Sequence, residues 1–139
     1  MEYPDWVNTI AVTSDGQFVF IRQYRHGLQQ TSYELCAGVC EKEDASPLAS
    51  AQRELLEETG YGNGSWQEYM QISPNPSTHT NITYCFLATG VKKISEQHLE
   101  DTESLSVHLL TLAEVKELLQ KGEIKQALMA APLWKYIAE

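Results

Sequence analysis

A helix with both its start and its stop written into the sequence constrains this chain more than any other segment. Ser46-Pro47 supplies an N-cap followed by proline at the first helical position, and Gly60 can end a helix in the left-handed conformation. The spacing therefore predicts a helix over Pro47–Thr59. Inside it Glu54, Glu57 and Glu58 stand at i, i+3 and i+4, so the helical period puts all three carboxylates on one face. Like charges at this spacing cost about 0.2–0.5 kcal/mol per pair, and the negative end of the helix dipole adds to the cost. Only Arg53 is near enough to compensate, by reaching Glu57 one turn on. A bound divalent cation removes the penalty: Mg2+ is a hard ion, held by a few carboxylates together with substrate phosphates. The competing reading is a solvated acidic face with no ligand. Leu48, Ala51 and Leu55 occupy the other side and are expected to pack on a sheet.

Around this helix the chain reads as α+β. Val7 to Thr13 and Phe18 to Tyr24 are expected to form a hairpin about the turn Ser14-Asp15-Gly16. Tyr33 to Cys36 reads as a short strand that Ala37-Gly38 breaks. Trp66 to Ile72, Ile82 to Thr89 and Leu105 to Leu110 read as further strands, and Ser73 to Thr80 as a loop. Thr111-Leu112-Ala113-Glu114 is a capping box that opens a helix stopping at Lys121-Gly122. A last helix covers Ile124 to Tyr136, with an interruption near Pro132. Strands outnumber helices and do not alternate with them, which points to a sandwich with a mixed sheet and not to a doubly wound parallel sheet.

With 139 residues the chain is sized for one domain, taken as residues 1–139. Its formal net charge of -9 repels phosphate backbones, so nucleic acid is excluded as a partner, while the surplus of carboxylates suits cation binding. No stretch is apolar enough for a membrane span. The segment Met1 to Trp6 has no signal-peptide character, so a cytoplasmic location is expected. Cys36, Cys40 and Cys85 are an odd set without zinc spacing and read as reduced thiols.

The segment Gly38 … Arg53-Glu54-Leu55-x-Glu57-Glu58-x-Gly60-Tyr61 resembles the signature of the Nudix hydrolase family, G-x5-E-x7-R-E-U-x-E-E-x-G-U, with U a bulky apolar residue. The second half matches at every defined position. The first half is one residue longer than the pattern, read as an insertion before Pro47, and either Glu43 or Asp44 takes the place of its glutamate. Asp5-Trp6-Val7-Asn8, Arg22-Gln23-Tyr24-Arg25, Glu34-Leu35-Cys36-Ala37-Gly38, Phe86-Leu87-Ala88, Asp101-Thr102-Glu103 and Gly122-Glu123-Ile124 are similar to segments of the ADP-ribose and ADP-sugar pyrophosphatase branch. The resemblance implies a Nudix-type α/β/α sandwich. That branch often carries an additional N-terminal strand region exchanged within a homodimer. This chain starts too close to Trp6 to contain it, so a homodimer is kept only as an option.

The implied activity is Mg2+-dependent hydrolysis, with Mn2+ as a substitute, of the pyrophosphate bond in a small-molecule nucleotide. ADP-ribose or a related nucleoside diphosphate sugar is the first choice. Metal ions suit this reaction because they neutralise phosphate charge and acidify water. Glu54, Glu57 and Glu58 are the expected metal ligands, and the resemblance adds the backbone carbonyl of Ala37. Arg53 is expected to orient the helix carboxylates. Glu58 is also placed in the catalytic set with Glu103, the first choice of base in the acidic loop Leu99-Glu100-Asp101-Thr102-Glu103; Asp101 and Glu100 are the substitutes. Arg25, Glu34 and Gly38 are the expected substrate contacts, Arg25 by a bidentate grip on phosphate. Ser73 to Ser77 is expected to rim the pocket, and Trp6, Tyr24 and Trp66 are candidates to stack on a base. Two alternatives stay open: a pyrophosphatase for nucleoside triphosphates or dinucleoside polyphosphates, and a non-catalytic nucleotide-sensing module.

Overall fold

Strand β1 (Trp6–Thr13) organises the molecule because both of its edges and both of its faces are covered. On one edge it runs parallel to β7 (Thr83–Lys93), from Trp6↔Thr83 to Thr13↔Val91. On the other it runs antiparallel to β4 (Cys36–Val39), from Trp6↔Val39 to Thr9↔Cys36. Its side chains alternate between two cores. Val7 and Ala11 pack with Ala51 and Leu55 of helix α1 (Pro47–Thr59). Ile10 and Val12 pack with Val115 and Leu119 of α2 (Leu112–Gln120) and Met129 and Leu133 of α3 (Ala127–Ala138). The result is the expected α+β sandwich, a mixed sheet between α1 on one face and α2 and α3 on the other. The structure is a computed structural model that describes residues 4–25, 30–74, 81–99 and 105–139, without the side chains of Tyr24, Arg25, Gln30 and Thr31.

The expected hairpin forms at its turn but is short. β1 and β2 (Phe18–Arg25) meet beside their turn, at Val12↔Phe18, with the Thr13 amide donating to the Gln17 carbonyl at 2.8 Å. Beyond the turn β2 leaves β1 and pairs with β8 (Leu105–Leu110) and with β3 (Gln30–Glu34). The two strands diverge because β4 and β7 saturate the backbone of β1. The expected break at Ala37-Gly38 falls earlier, at Leu35, where the chain changes partner from β2 to β1; β4 itself runs through Ala37 and Gly38. The sheet is completed by β5 (Tyr61–Gly62) and β6 (Ser65–Ile72), both antiparallel to β7.

Helix α1 has the bounds its signals predict. Ser46 accepts the Ala49 amide at 3.1 Å, and Gly60 closes the helix at φ 78°. Such an N-cap contributes about 1 kcal/mol. Leu48 departs from expectation: it is exposed, while Ala51 and Leu55 are buried. The capping box at Thr111 and Glu114 forms with both of its hydrogen bonds. The expected interruption at Pro132 does not occur, and α3 runs through it. Proline has no amide hydrogen to give the carbonyl four residues back, that of Leu128. The Asn8 side-chain amide of β1 donates to that carbonyl at 2.9 Å and replaces the missing bond.

Candidate active site

Strand β4 leads into α1 through the turn 40–46, and this junction carries the acidic cluster. Asp44 organises the turn. Its Oδ2 accepts the Glu41 amide at 3.0 Å and the Ser50 hydroxyl at 2.7 Å. Arg53 grips the same carboxylate with two bonds, Nε to Oδ1 at 3.0 Å and Nη2 to Oδ2 at 3.0 Å. Asp44 is thus the acid that meets Arg53. These donors, Arg53 first, then Ser50 and the Glu41 amide, hold its carboxyl well below the usual carboxylate range. The same pairing raises the already high Arg53 pKa.

The remaining guanidinium nitrogen turns to the helix. Arg53 Nη1 donates to Glu54 Oε1 at 3.1 Å and to Glu57 Oε2 at 3.3 Å. One arginine therefore ties the turn to two of the three signature carboxylates, including the expected i, i+4 contact with Glu57. The observed geometry differs from a single acidic face. The Glu57 side chain is 45% exposed and that of Glu54 18%, whereas Glu58 is buried at 8%. Glu58 turns inward to β4, where the Cys36 thiol donates to its Oε1 at 3.1 Å.

Gly38 is placed by close approach. A Cβ there would overlap the Glu54 carboxyl group, so the absence of a side chain at Gly38 is what lets Glu54 lie against β4. Among the described residues no three His, Cys, Asp or Glu side chains are gathered as a ready metal cage. Arg53 hydrogen-bonds Glu54 and Glu57 as they stand, and its single charge, shared with Asp44, leaves the cluster net negative. The donor set itself, three carboxylates at i, i+3 and i+4 beside a bare strand backbone, is of hard oxygens and fits a divalent cation of the Mg2+ class.

The C-terminal end of α1 is strapped by a distant segment. The Glu57 carbonyl accepts the His98 amide at 2.7 Å, the Glu58 carbonyl accepts Gln97 Nε2 at 2.7 Å, and the Gly60 carbonyl accepts the amides of Ile94 and Ser95. These contacts satisfy carbonyls that a helix end leaves open. They also bring the root of the acidic loop to the carboxylate helix.

Among the other expected residues, Glu34 is buried at 3%, accepts the Ser32 hydroxyl at 3.2 Å, and pairs with Ile21 across β2. Arg25 ends β2, but its side chain, like that of Tyr24, lies outside the described residues. So do Glu100, Asp101, Glu103 and the loop 75–80. Arg22 lies on the sheet surface with its guanidinium 5.3 Å from the centre of the Tyr33 ring. Trp66 is a packing residue: it tilts against Phe86 and donates its indole N–H to the Asn63 carbonyl at 2.8 Å. Trp6 is half exposed. The cysteines are free thiols, and burial pushes Cys85 up to about 11. A cleft of about 670 Å3 opens on the opposite face of the sheet, bordered by Tyr69, Lys116, Lys135 and Tyr136 and by no residue of α1. Sequence reasoning passed over Ser50, Cys36 and Gln97. Ser50 and Cys36 are small side chains given their roles by what folds against them, and Gln97 reaches α1 from far along the chain.

Residues 3–131 match the NUDIX domain family. The chain is 30% identical over 128 residues to the ADP-ribose pyrophosphatase of Bacillus subtilis (strain 168), a match spanning 91% of this chain and 69% of that protein. It is also 30% identical over 125 residues to the methanol dehydrogenase activator of Bacillus methanolicus, spanning 89% and 67%. The crystal structure of an ADP compounds hydrolase superposes with a TM-score of 0.83 at 22% identity, over 96% of this chain and 71% of that one, a likeness of fold. No helix among the described residues is long and apolar enough to cross a membrane. A family match that takes in the whole β4–α1 junction, together with relatives aligned over nine-tenths of the chain, agrees with the geometry of the carboxylate helix: the chain belongs to the NUDIX domain family.

Proposed function

We propose that this protein hydrolyses the pyrophosphate bond of a nucleoside diphosphate joined to another group, with ADP-ribose or a related nucleoside diphosphate sugar as substrate and Mg2+ as cofactor, Mn2+ substituting. The observation that carries the reading is the Arg53 bridge, which joins Asp44 to Glu54 and Glu57 and sets a row of carboxylates against β4. The relatives named as ADP-ribose pyrophosphatases support the substrate class. Nudix hydrolases generally use a divalent metal.

In this reading Glu54, Glu57 and Glu58, with the Ala37 carbonyl, hold the cation. When bound, it neutralises charge on the phosphate oxygens and acidifies water. Arg53 fixes the directions of Glu54 and Glu57, so that their orientation is set before substrate arrives. Asp44 holds Arg53 in turn. Glu103 takes the proton from the attacking water, while Arg25, Glu34 and Gly38 border the substrate. Attack at phosphorus breaks the P–O–P link and, from ADP-ribose, leaves AMP and ribose 5-phosphate.

The test is a panel of ADP-ribose, other nucleoside diphosphate sugars, nucleoside triphosphates and a dinucleoside polyphosphate, incubated with Mg2+ beside a Glu57→Gln/Glu58→Gln variant. AMP from ADP-ribose that disappears in the variant is the expected result. Cleavage of triphosphates alone would keep the metal helix and overturn the substrate. No cleavage of any compound would favour a nucleotide-sensing role.

A further inference from the structure

The described contacts of Arg53 reach Glu54 and Glu57 and leave the third carboxylate, Glu58, to be placed by other groups. One of them is Cys36. The thiol is 2% exposed and Glu58 is 8% exposed, with Sγ donating to Oε1 at 3.1 Å. A carboxylate removed that far from water needs hydrogen-bond donors.

The strand and helix repeats explain why the thiol meets this carboxylate. Cys36 and Gly38 are two apart on β4, so both face α1. They meet Glu58 and Glu54, which are four apart on the helix. Two residues of strand advance about 6.7 Å, and four residues of helix advance about 6 Å. The two steps match, with β4 and α1 running in opposite directions. One strand therefore presents a bare Cα to Glu54 and a donor to Glu58. A thiol suits the Glu58 position because it is small enough for the packed space among Leu55, Val19 and Ala88 and brings no charge beside the carboxylate.

We propose that Cys36 is a positioning residue, which fixes the Glu58 carboxylate for divalent-cation binding. This rests on the reading of the carboxylate helix as a metal-dependent hydrolase site. Two variants separate hydrogen bonding from packing: Cys36→Ser keeps a donor in a more polar side chain, and Cys36→Val stays apolar, is somewhat larger, and removes the donor. Mn2+ binding is read without substrate, from the electron paramagnetic resonance signal of free Mn2+. Melting temperature and AMP release at varied Mn2+ are read beside it.

Cys36→Val is expected to weaken Mn2+ binding about tenfold, the usual scale for a group that orients a ligand, and to raise the Mn2+ needed for half-maximal turnover in proportion. Cys36→Ser is expected to stay within about threefold of wild type, even with a lower melting temperature. The reverse order, or equal binding by both variants, overturns the proposal, since packing alone favours valine. Wild-type protein that binds Mn2+ and releases AMP while both variants match it refutes the role of Cys36 and leaves the functional reading intact. Wild-type protein that neither binds Mn2+ nor cleaves any nucleotide defeats that reading and this proposal with it.

Discussion

Asp44 shows how much one side chain can depend on its donors. Its carboxyl is held well below the usual range by Arg53, Ser50 and the Glu41 amide. A depressed folded pKa contributes stability that is present above the unfolded value of about 4 and is lost as pH falls below it. Asp44→Asn should therefore melt below wild type at pH 7, and the gap between the two should close as the pH is taken below about 4. Thermal melts followed by circular dichroism between pH 7 and pH 2 would check this, and a gap that stays constant would show that the carboxylate charge is not what stabilises the turn. At Gly38 the expected effect lies on function and not on stability. An alanine there meets the end of a flexible Glu54 side chain, which can swing away. Gly38→Ala should keep a near-normal melting temperature while divalent-cation affinity falls about tenfold or more, as a Mn2+ titration would read.

At the scale of the element, α1 is held at both ends by different means. Its N-terminus is closed locally by Ser46, and its C-terminus is closed by Gly60 and by the segment from Ile94 to His98. Gly60 cannot be replaced cheaply. It sits at φ 78°, and a Cβ would run into the Ser95 backbone carbonyl. Gly60→Ala should cost more than the roughly 1–2 kcal/mol of left-handed backbone alone, because the clash is with main chain, and chemical denaturation would measure it. The bounds of α1 and the capping box of α2 were legible because caps are local chemistry. The pairing of β1 with β7 was not, since residues far apart in sequence choose each other through burial and not through turn signals.

Across the whole molecule, Asn8 joins the sheet to α3. Its amide serves the Leu128 carbonyl that Pro132 leaves without a donor. Asn8→Ala should destabilise the protein by about 1–3 kcal/mol, the cost of an unmet buried polar group. Pro132→Ala restores an amide that can bond Leu128 within the helix. In that background the loss of Asn8 should cost less. A double-mutant cycle by denaturation measures this coupling, and strict additivity would show that the two residues do not share the carbonyl.

The sequence by itself determined the carboxylate helix, its caps, the sandwich class and the family, because each is encoded in a run of neighbouring residues with a fixed period or a fixed cap. Asp44 and Arg53 were in view as well, but nothing in the spacing said which acid the arginine would grip. Tertiary structure decided that. It also turned Glu58 inward to Cys36, broke the expected hairpin beyond its turn, and carried α3 through Pro132 on a donor from β1. The physical reason is common to all of these. A buried polar group takes whichever partner the fold brings within hydrogen-bond reach, and for groups on different elements that partner is set by packing and not by distance along the chain.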